Sequence, residues 1–244
     1  MTGDVEDWWD ATADAFQDEI DMDVGVNWDG FGHSNFELLT DVDGKDVLEL
    51  GCGGGQCTVA LAKRGANLTG IDLSEKQLAH ARALADEHDV TIDFRKGSVT
   101  DLAEFDDESY DIAFNAWVFQ WVEDLDACFA ETYRVLRPNG RFVFSLPHPV
   151  YDVTEGSSHE VTGSYFETGR REISHDGMDV DQVLFRHTVS GIVNALVDAG
   201  FTVDRMHEPG TPDPEDYEPG PWGEYTPALM SKLPAVLILE AHKE

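Results

Sequence analysis

The segment "VLELGCGGGQC", Val47 to Cys57, constrains this chain more than any other. An apolar run ends in a cluster of glycines, Gly51 and Gly53 to Gly55, and helix-like spacing follows at once. Backbone without Cβ atoms can turn sharply and approach a ligand closely. "DVLELG" reads as a buried strand ending near Leu50. Residues 56–63 put Cys57, Ala60 and Leu61 on one helical face, which Gly65 closes. The alternation then continues. "NLTGID" (67–72) is a second strand, and Ser74 reads as a helix N-cap with Gln77 at the capping-box position. Leu78, Ala81 and Ala85 form that helix's apolar stripe. "TIDFRKG" is a third strand and "YDIAFN" (110–115) a fourth. Leu125, Cys128, Phe129, Thr132 and Leu136 recur at helical spacing. "RPNG" (137–140) reads as a tight turn and "RFVFSL" (141–146) as a fifth strand. Strand and helix alternate throughout 47–146. That order predicts a doubly wound α/β fold, a parallel sheet with helices on both faces.

Residues 147–187 break the pattern. They mix Gly, Ser, His and aromatics, with room for a short hairpin, and read as an insertion on the substrate side. Val189, Ile192, Val193 and Leu196 form another helical stripe, ended by Gly200, and "FTVDRM" follows as a strand. Residues 208–221 hold five of the ten prolines and read as a loop. "AVLILEAHK" is a last strand. At the N-terminus Trp9, Ala13 and Phe16 fall at helical spacing. They fit an amphipathic helix packed on the domain or a lid over a bound ligand. There is no internal repeat and no clear linker. The expectation is one domain over 1–244, with an N-terminal helical lid within 1–40.

Composition removes several function classes. Against 49 acidic side chains there are 16 basic ones, a formal net charge of -33. Nucleic acid needs a basic footprint, so it is not an expected partner, and anionic membrane surfaces are disfavoured likewise. The acidic residues are spread between hydrophobic elements. That suits a solvated acidic surface of the kind salt-loving archaea carry. No stretch approaches the roughly 18 apolar residues of a membrane span, and the acidic start does not read as a signal peptide. A cytoplasmic protein is expected. Cys52, Cys57 and Cys128 are odd in number and lack zinc spacing, so they read as reduced thiols, and no metal site is expected.

What the glycine loop holds follows from spacing. A phosphate-gripping loop needs G-x-x-x-x-G-K-[ST], and no lysine follows here. A dinucleotide loop needs G-x-G-x-x-G, but Gln56 stands where the third glycine belongs. The glycines read G-x-G-x-G instead. Asp72 ends the second strand, where a carboxylate can accept hydrogen bonds from both ribose hydroxyls of an adenosine and would repel a ribose phosphate. The combination fits an adenosine ligand with a small anionic group and no pyrophosphate.

At this point the sequence resembles the class I S-adenosylmethionine-dependent methyltransferases of the type 11-like branch. "VLELGCGGGQCT", "GIDLS", "FRKGSVTDL", "SYDIAFNAWVFQWVEDLDACFAETYRVLRPNGRFVFS" and "LVDAGF" carry the resemblance, over about 47–205. It implies a Rossmann-like, seven-stranded, mostly parallel sheet whose last strand runs antiparallel between the fifth and sixth. It implies S-adenosylmethionine as cofactor. Glu49, Gly51, Cys52 and Gly53 then line its methionine end. Asp72 holds the ribose and Leu73 packs on the adenine, with Ser98 and Val99 at the adenine edge. Asn115 lies beside the methionine and the transferable methyl.

The acceptor is expected to be a small molecule. His148, directly after the fifth strand, and His187, just before a helix, are candidate bases near neutral pH. No base is obligatory, since the cofactor brings an activated methyl group and the protein's task is alignment. Two other readings stand beside methyl transfer. One is a non-catalytic cofactor-binding module on the same fold, and the other an NAD-dependent oxidoreductase.

Overall fold

A computed structural model describes residues 2–19, 24–28, 37–155, 160–218 and 225–244. Parts of the expected lid (20–23 and 29–36), of the insertion (156–159) and of the proline-rich loop (219–221) lie outside the described residues. An N-terminal helix α1 (Thr2–Glu19) precedes the alternating body. That body runs β1 (Asp46–Leu50), α2 (Gln56–Ala62), β2 (Asn67–Asp72), α3 (Glu75–Glu87), β3 (Asp93–Lys96), β4 (Tyr110–Ala116), α4 (Leu125–Val135) and β5 (Leu136–Pro147). Then come β6 (Gly169–Ile173), β7 (Gln182–Arg186), α5 (Val189–Asp198), β8 (Phe201–His207), α6 (Pro227–Met230) and β9 (Val236–Lys243).

Seven strands form one sheet in the order β3-β2-β1-β4-β5-β9-β8. β1 to β5 are parallel, while β9 is inserted antiparallel between β5 and β8. The sheet has the predicted doubly wound form. β6 and β7 make a separate antiparallel hairpin within the insertion. Both faces of the sheet are covered, which is why its central strands are almost continuously apolar. On one face Phe119, Phe129, Phe142 and Phe144 interlock, with Phe119 and Phe144 ring centroids 4.8 Å apart. On the other, Trp28, Leu61, Phe114 and Val143 form a second buried cluster.

Local chemistry sets the helix starts. Ser74 Oγ accepts the Gln77 amide, Asp124 the Ala127 amide and Thr188 the Gly191 amide. Two expectations change in detail. "RPNG" does not separate helix from strand, because α4 runs straight into β5. Residues 137–140 instead bulge out between the pairs Tyr110–Leu136 and Ile112–Arg141, with Asn139 at φ +64°. The capping box at Ser74 is half made. The Ser74 amide donates to Asp72 Oδ1, and Gln77 Oε1 turns away to accept from Gln17.

Candidate cofactor site

The carboxyl ends of β1, β2 and β4 open into one cavity beneath α1. This is where parallel sheets of this kind hold ligands, at the point where strand order reverses. Here β1 and β2 run one way from the centre and β4 and β5 the other.

The turn after β1 is built on glycine. Gly51 sits at φ +72°, and a Cβ there would lie 2.6 Å from a Val118 methyl. Its amide and that of Cys52 donate to Ile71 O at 2.8 and 3.0 Å, which fixes the loop to β2. Gly53 lines the cavity at φ +50° with nothing within 4 Å of a Cβ position. Its missing side chain therefore leaves open space beside Asp72. The Asp72 carboxylate accepts the Gly53 amide at 2.8 Å and the Ser74 amide at 2.9 Å. Burial pushes its pKa up to about 6, against the pull of those amides, and the Asp10 carboxylate adds to the rise. Glu49 is 3% exposed on β1 and accepts the Thr58 hydroxyl. Burial pushes it up to about 8.

Cys52, Leu73 and Val99 also line the cavity. Two predicted contacts do not. Ser98 turns to Thr100, with 2.8 Å between the hydroxyls. Asn115 is fully buried below the cavity, where its Nδ2 donates to Leu50 O at 2.8 Å and its Oδ1 accepts the Val118 amide at 3.2 Å. Asn115 joins the ends of β1 and β4, so its role in this geometry is to hold the floor of the site.

Neither histidine reaches the cavity wall. His148 is buried at the end of β5, its Nδ1 accepting the Val150 amide at 3.2 Å and its Nε2 2.9 Å from Glu208 Oε1. The Val150 contact leaves the ring proton on Nε2, facing Glu208. Burial outweighs the carboxylate and lowers the pKa of His148. His187 Nε2 meets Val122 O at 2.9 Å, and burial lowers it too. Both rings are fastened to protein atoms, His187 to a residue that itself lines the cavity.

Sequence reasoning missed three glutamines. Gln56 Nε2 donates to Gln17 Oε1 at 2.6 Å, and Gln17 Nε2 donates to Gln77 Oε1 at 2.8 Å. This chain of amides ties α1 across the glycine loop to α3, and all three residues line the cavity. Ser74 Oγ to Asp10 Oδ1 adds a second tie. Val5, Trp9 and Phe16 form the underside of α1, with the Trp9 and Trp121 rings 4.9 Å apart. The only signal available was Gln56 in a place where glycine is usual.

A methyltransferase domain model matches residues 48–144, spanning the glycine loop to β5. Ubiquinone biosynthesis O-methyltransferase of Pseudomonas savastanoi pv. phaseolicola is 34% identical over 139 residues, covering 57% of this chain and 56% of that protein. The chain thus spans little more than half the length of that relative. The uncharacterized methyltransferase YbaJ of Bacillus subtilis is 31% identical over 177 residues, 68% of this chain and 69% of its own. The chain belongs to the methyltransferase family. A crystal structure of an S-adenosylmethionine-dependent methyltransferase from Mesorhizobium loti superposes with a TM-score of 0.69 at 28% identity, over 84% of this chain and 94% of that one. That neighbour is described as S-adenosylmethionine-dependent, and the residues that line the cavity here fit such a group. A buried carboxylate ends β2, open space stands above Gly53, and a second buried carboxyl, Glu49, lines the cavity from β1. The dinucleotide reading is set aside with Gln56. Among the described residues no cluster is suited to a metal ion, and no helix is long and apolar enough to cross a membrane.

Proposed function

We propose that this chain transfers the methyl group of S-adenosylmethionine to a small-molecule acceptor. One observation carries the reading. The cavity holds the Asp72–Gly53 cradle at one end and an aromatic wall at the other, closed over by α1. A cavity partly covered in this way suits a small molecule. The name of the Pseudomonas relatives makes oxygen the first acceptor atom to try.

The cofactor supplies an activated methyl when bound. The protein's part is to orient and to exclude water. In this reading Asp72 accepts from the ribose hydroxyls and Glu49 faces the positive methionine end. Leu73 and Val99 pack on the adenine. Cys52 and the Gly51 and Gly53 backbone shape the cradle, and Asn115 fixes its floor. Ser98 borders the adenine side without reaching the cavity. His148 and His187 hold the loops around the acceptor side and move no proton, since neither lines the cavity, both nitrogens of His148 are engaged and Nε2 of His187 is held by Val122 O. Catalysis then comes from alignment and desolvation, which can supply several kcal/mol of the barrier.

Calorimetric titration with S-adenosylhomocysteine and with NAD, in molar KCl, tests the binding half. Methyl transfer from labelled cofactor into a small-molecule extract of the source cells tests the rest. Binding without any transfer would favour the non-catalytic module.

A further inference from the structure

The end of β4 carries a costly conformation. Trp117 has φ +63°, the left-handed region that bulky residues avoid. Such strain persists only where the surroundings impose it, and it gathers at functional sites. Here the surroundings do impose it. The Trp117 amide donates to Ser145 O at 3.0 Å, and its Nε1 donates to Trp28 O at 3.1 Å. Its carbonyl accepts Gln120 Nε2 at 2.7 Å. On either side of the bend, Asn115 holds Leu50 and Val118. Trp117 so placed lines the cavity. It stands at the β4 end, with β1 between it and Asp72 on β2. Ribose at Asp72 therefore leaves Trp117 at the methyl-donating side. Behind it the aromatic wall continues through Tyr225, 5.9 Å away, to Tyr151, which stacks on Tyr225 at 4.8 Å and 9°.

Charge narrows the occupant further. Among the described lining residues only Glu49 and Asp72 are ionisable acids, and no Lys, Arg or His joins them. The cofactor's α-carboxylate has its own ammonium beside it, but an acceptor carboxylate or phosphate would find no cationic partner among the described lining residues, and burial of an unpaired charge is costly. The field of a chain at -33 opposes its entry as well. A cationic acceptor would meet the sulfonium. We propose that Trp117 is the specificity-determining wall of the acceptor subsite, and that this subsite takes an uncharged aromatic acceptor. The inference rests on the methyltransferase reading above, and it names the acceptor class that reading leaves open.

The test uses the full chain saturated with S-adenosylhomocysteine in 2 M KCl, so that bulk electrostatics are screened. The probes are 2-naphthol and its anionic counterpart 6-hydroxy-2-naphthoate, with calorimetry as readout. Wild type is expected to bind 2-naphthol at least tenfold more tightly than the naphthoate. Trp117→Gly, which removes the ring and relieves the backbone, is expected to weaken 2-naphthol at least tenfold more than it weakens S-adenosylhomocysteine. Trp117→Phe keeps a ring and is expected to bind 2-naphthol within threefold of wild type. Equal binding of the two probes, no binding of either, or unaltered 2-naphthol binding by Trp117→Gly would each overturn the proposal. Failure of wild type to bind S-adenosylhomocysteine would overturn the cofactor reading itself, a different and separable result.

Discussion

The Asp72 carboxylate accepts the Gly53 amide at 2.8 Å, so the residue proposed to hold the ribose also shapes the glycine loop. Its second oxygen caps the turn into α3 through Ser74. Asp72 thus has a structural and a binding duty, and the two can be separated. Asp72→Asn keeps the size and an amide-accepting oxygen but loses the charge. It is expected to lower S-adenosylhomocysteine affinity by about 1.5–3 kcal/mol, the range for a hydrogen bond to a charged group. Its melting temperature should fall modestly, because the Gly53 or the Ser74 amide loses its acceptor, so affinity is compared at a temperature where the variant is folded. Calorimetry and a thermal melt decide. An unchanged affinity would leave Asp72 with only its structural duty.

Binding is expected to release protons. Glu49 is pushed up to about 8 in the empty protein, and Asp72 to about 6. The bound cofactor brings positive charge to the Glu49 end and favours its ionised form. At pH 7 Glu49 starts largely protonated, so up to about one proton leaves per complex. Affinity then rises with pH between about 5 and 8, since the unbound form holds more protons. Folding shows the opposite sign. A carboxyl whose folded pKa is raised loses stability as pH climbs from its ordinary value of 4.5 toward 8 in the empty protein. Titrations in buffers of different ionisation enthalpy count the protons. Glu49→Gln should abolish the release near pH 7. Release that persists in that variant would assign it elsewhere.

His148 is expected to matter for stability and little for cofactor binding. His148→Ala removes its contacts with Glu208 and the Val150 amide. The cost is about 1–2 kcal/mol of stability, with cofactor affinity within about 0.5 kcal/mol. Because burial holds the ring neutral when folded, its contribution is present above pH 6.5 and is lost as pH falls below that value. Denaturant melts at pH 5.5 and 7.5 test this, and the difference should shrink in the variant. Methyl transfer that collapses in folded His148→Ala protein would restore the base reading.

How much of this was legible in the sequence varies with the physics involved. The sheet was, because strand and helix periods differ and each strand ends in a turn signal. The β9 insertion came from resemblance, since "AVLILEAHK" alone says nothing of direction. Asp72 and Gly53 were legible together because spacing brings the end of β2 beside the turn after β1. Gln17 was not legible. Its partners lie 39 and 60 residues away, and an amide on an amphipathic helix looks like a solvated face. The left-handed backbone at Trp117 leaves no mark in "NAWVFQW", where no glycine announces a bend. His148 shows the converse. Residue type and position suggested a base, while the tethers at both ring nitrogens depend on Val150 and on a distant Glu208.

The surface charge leads to the last expectation. At -33 over 244 residues the folded chain packs far more carboxylates than cations into a small surface. The ion pairs formed are mostly exposed, such as Arg82–Glu75 and Arg95–Asp93, and exposed pairs contribute little each. They cannot balance an excess of 33 negative charges. Unfolding spreads the charges apart, so repulsion favours the unfolded chain, and salt opposes that preference by screening. The Debye length falls from about 10 Å at 0.1 M to about 3 Å at 1 M, below the typical spacing of surface carboxylates. Melting temperature is therefore expected to rise steeply between 0.1 and 1 M KCl and to flatten beyond, where screening is nearly complete. Cofactor binding adds to the trend, because α1 brings Asp10 against Ser74, close enough to Asp72 to raise its pKa. Low salt should loosen this closure before the sheet melts. Thermal melts across a KCl series, with tryptophan fluorescence, to which Trp8 and Trp9 of α1 contribute, compared against far-ultraviolet circular dichroism, would show it. A melting temperature that is flat or falls between 0.1 and 2 M would mean the acidic surface is neutral for stability, and coincident transitions at every salt concentration would mean α1 does not move separately.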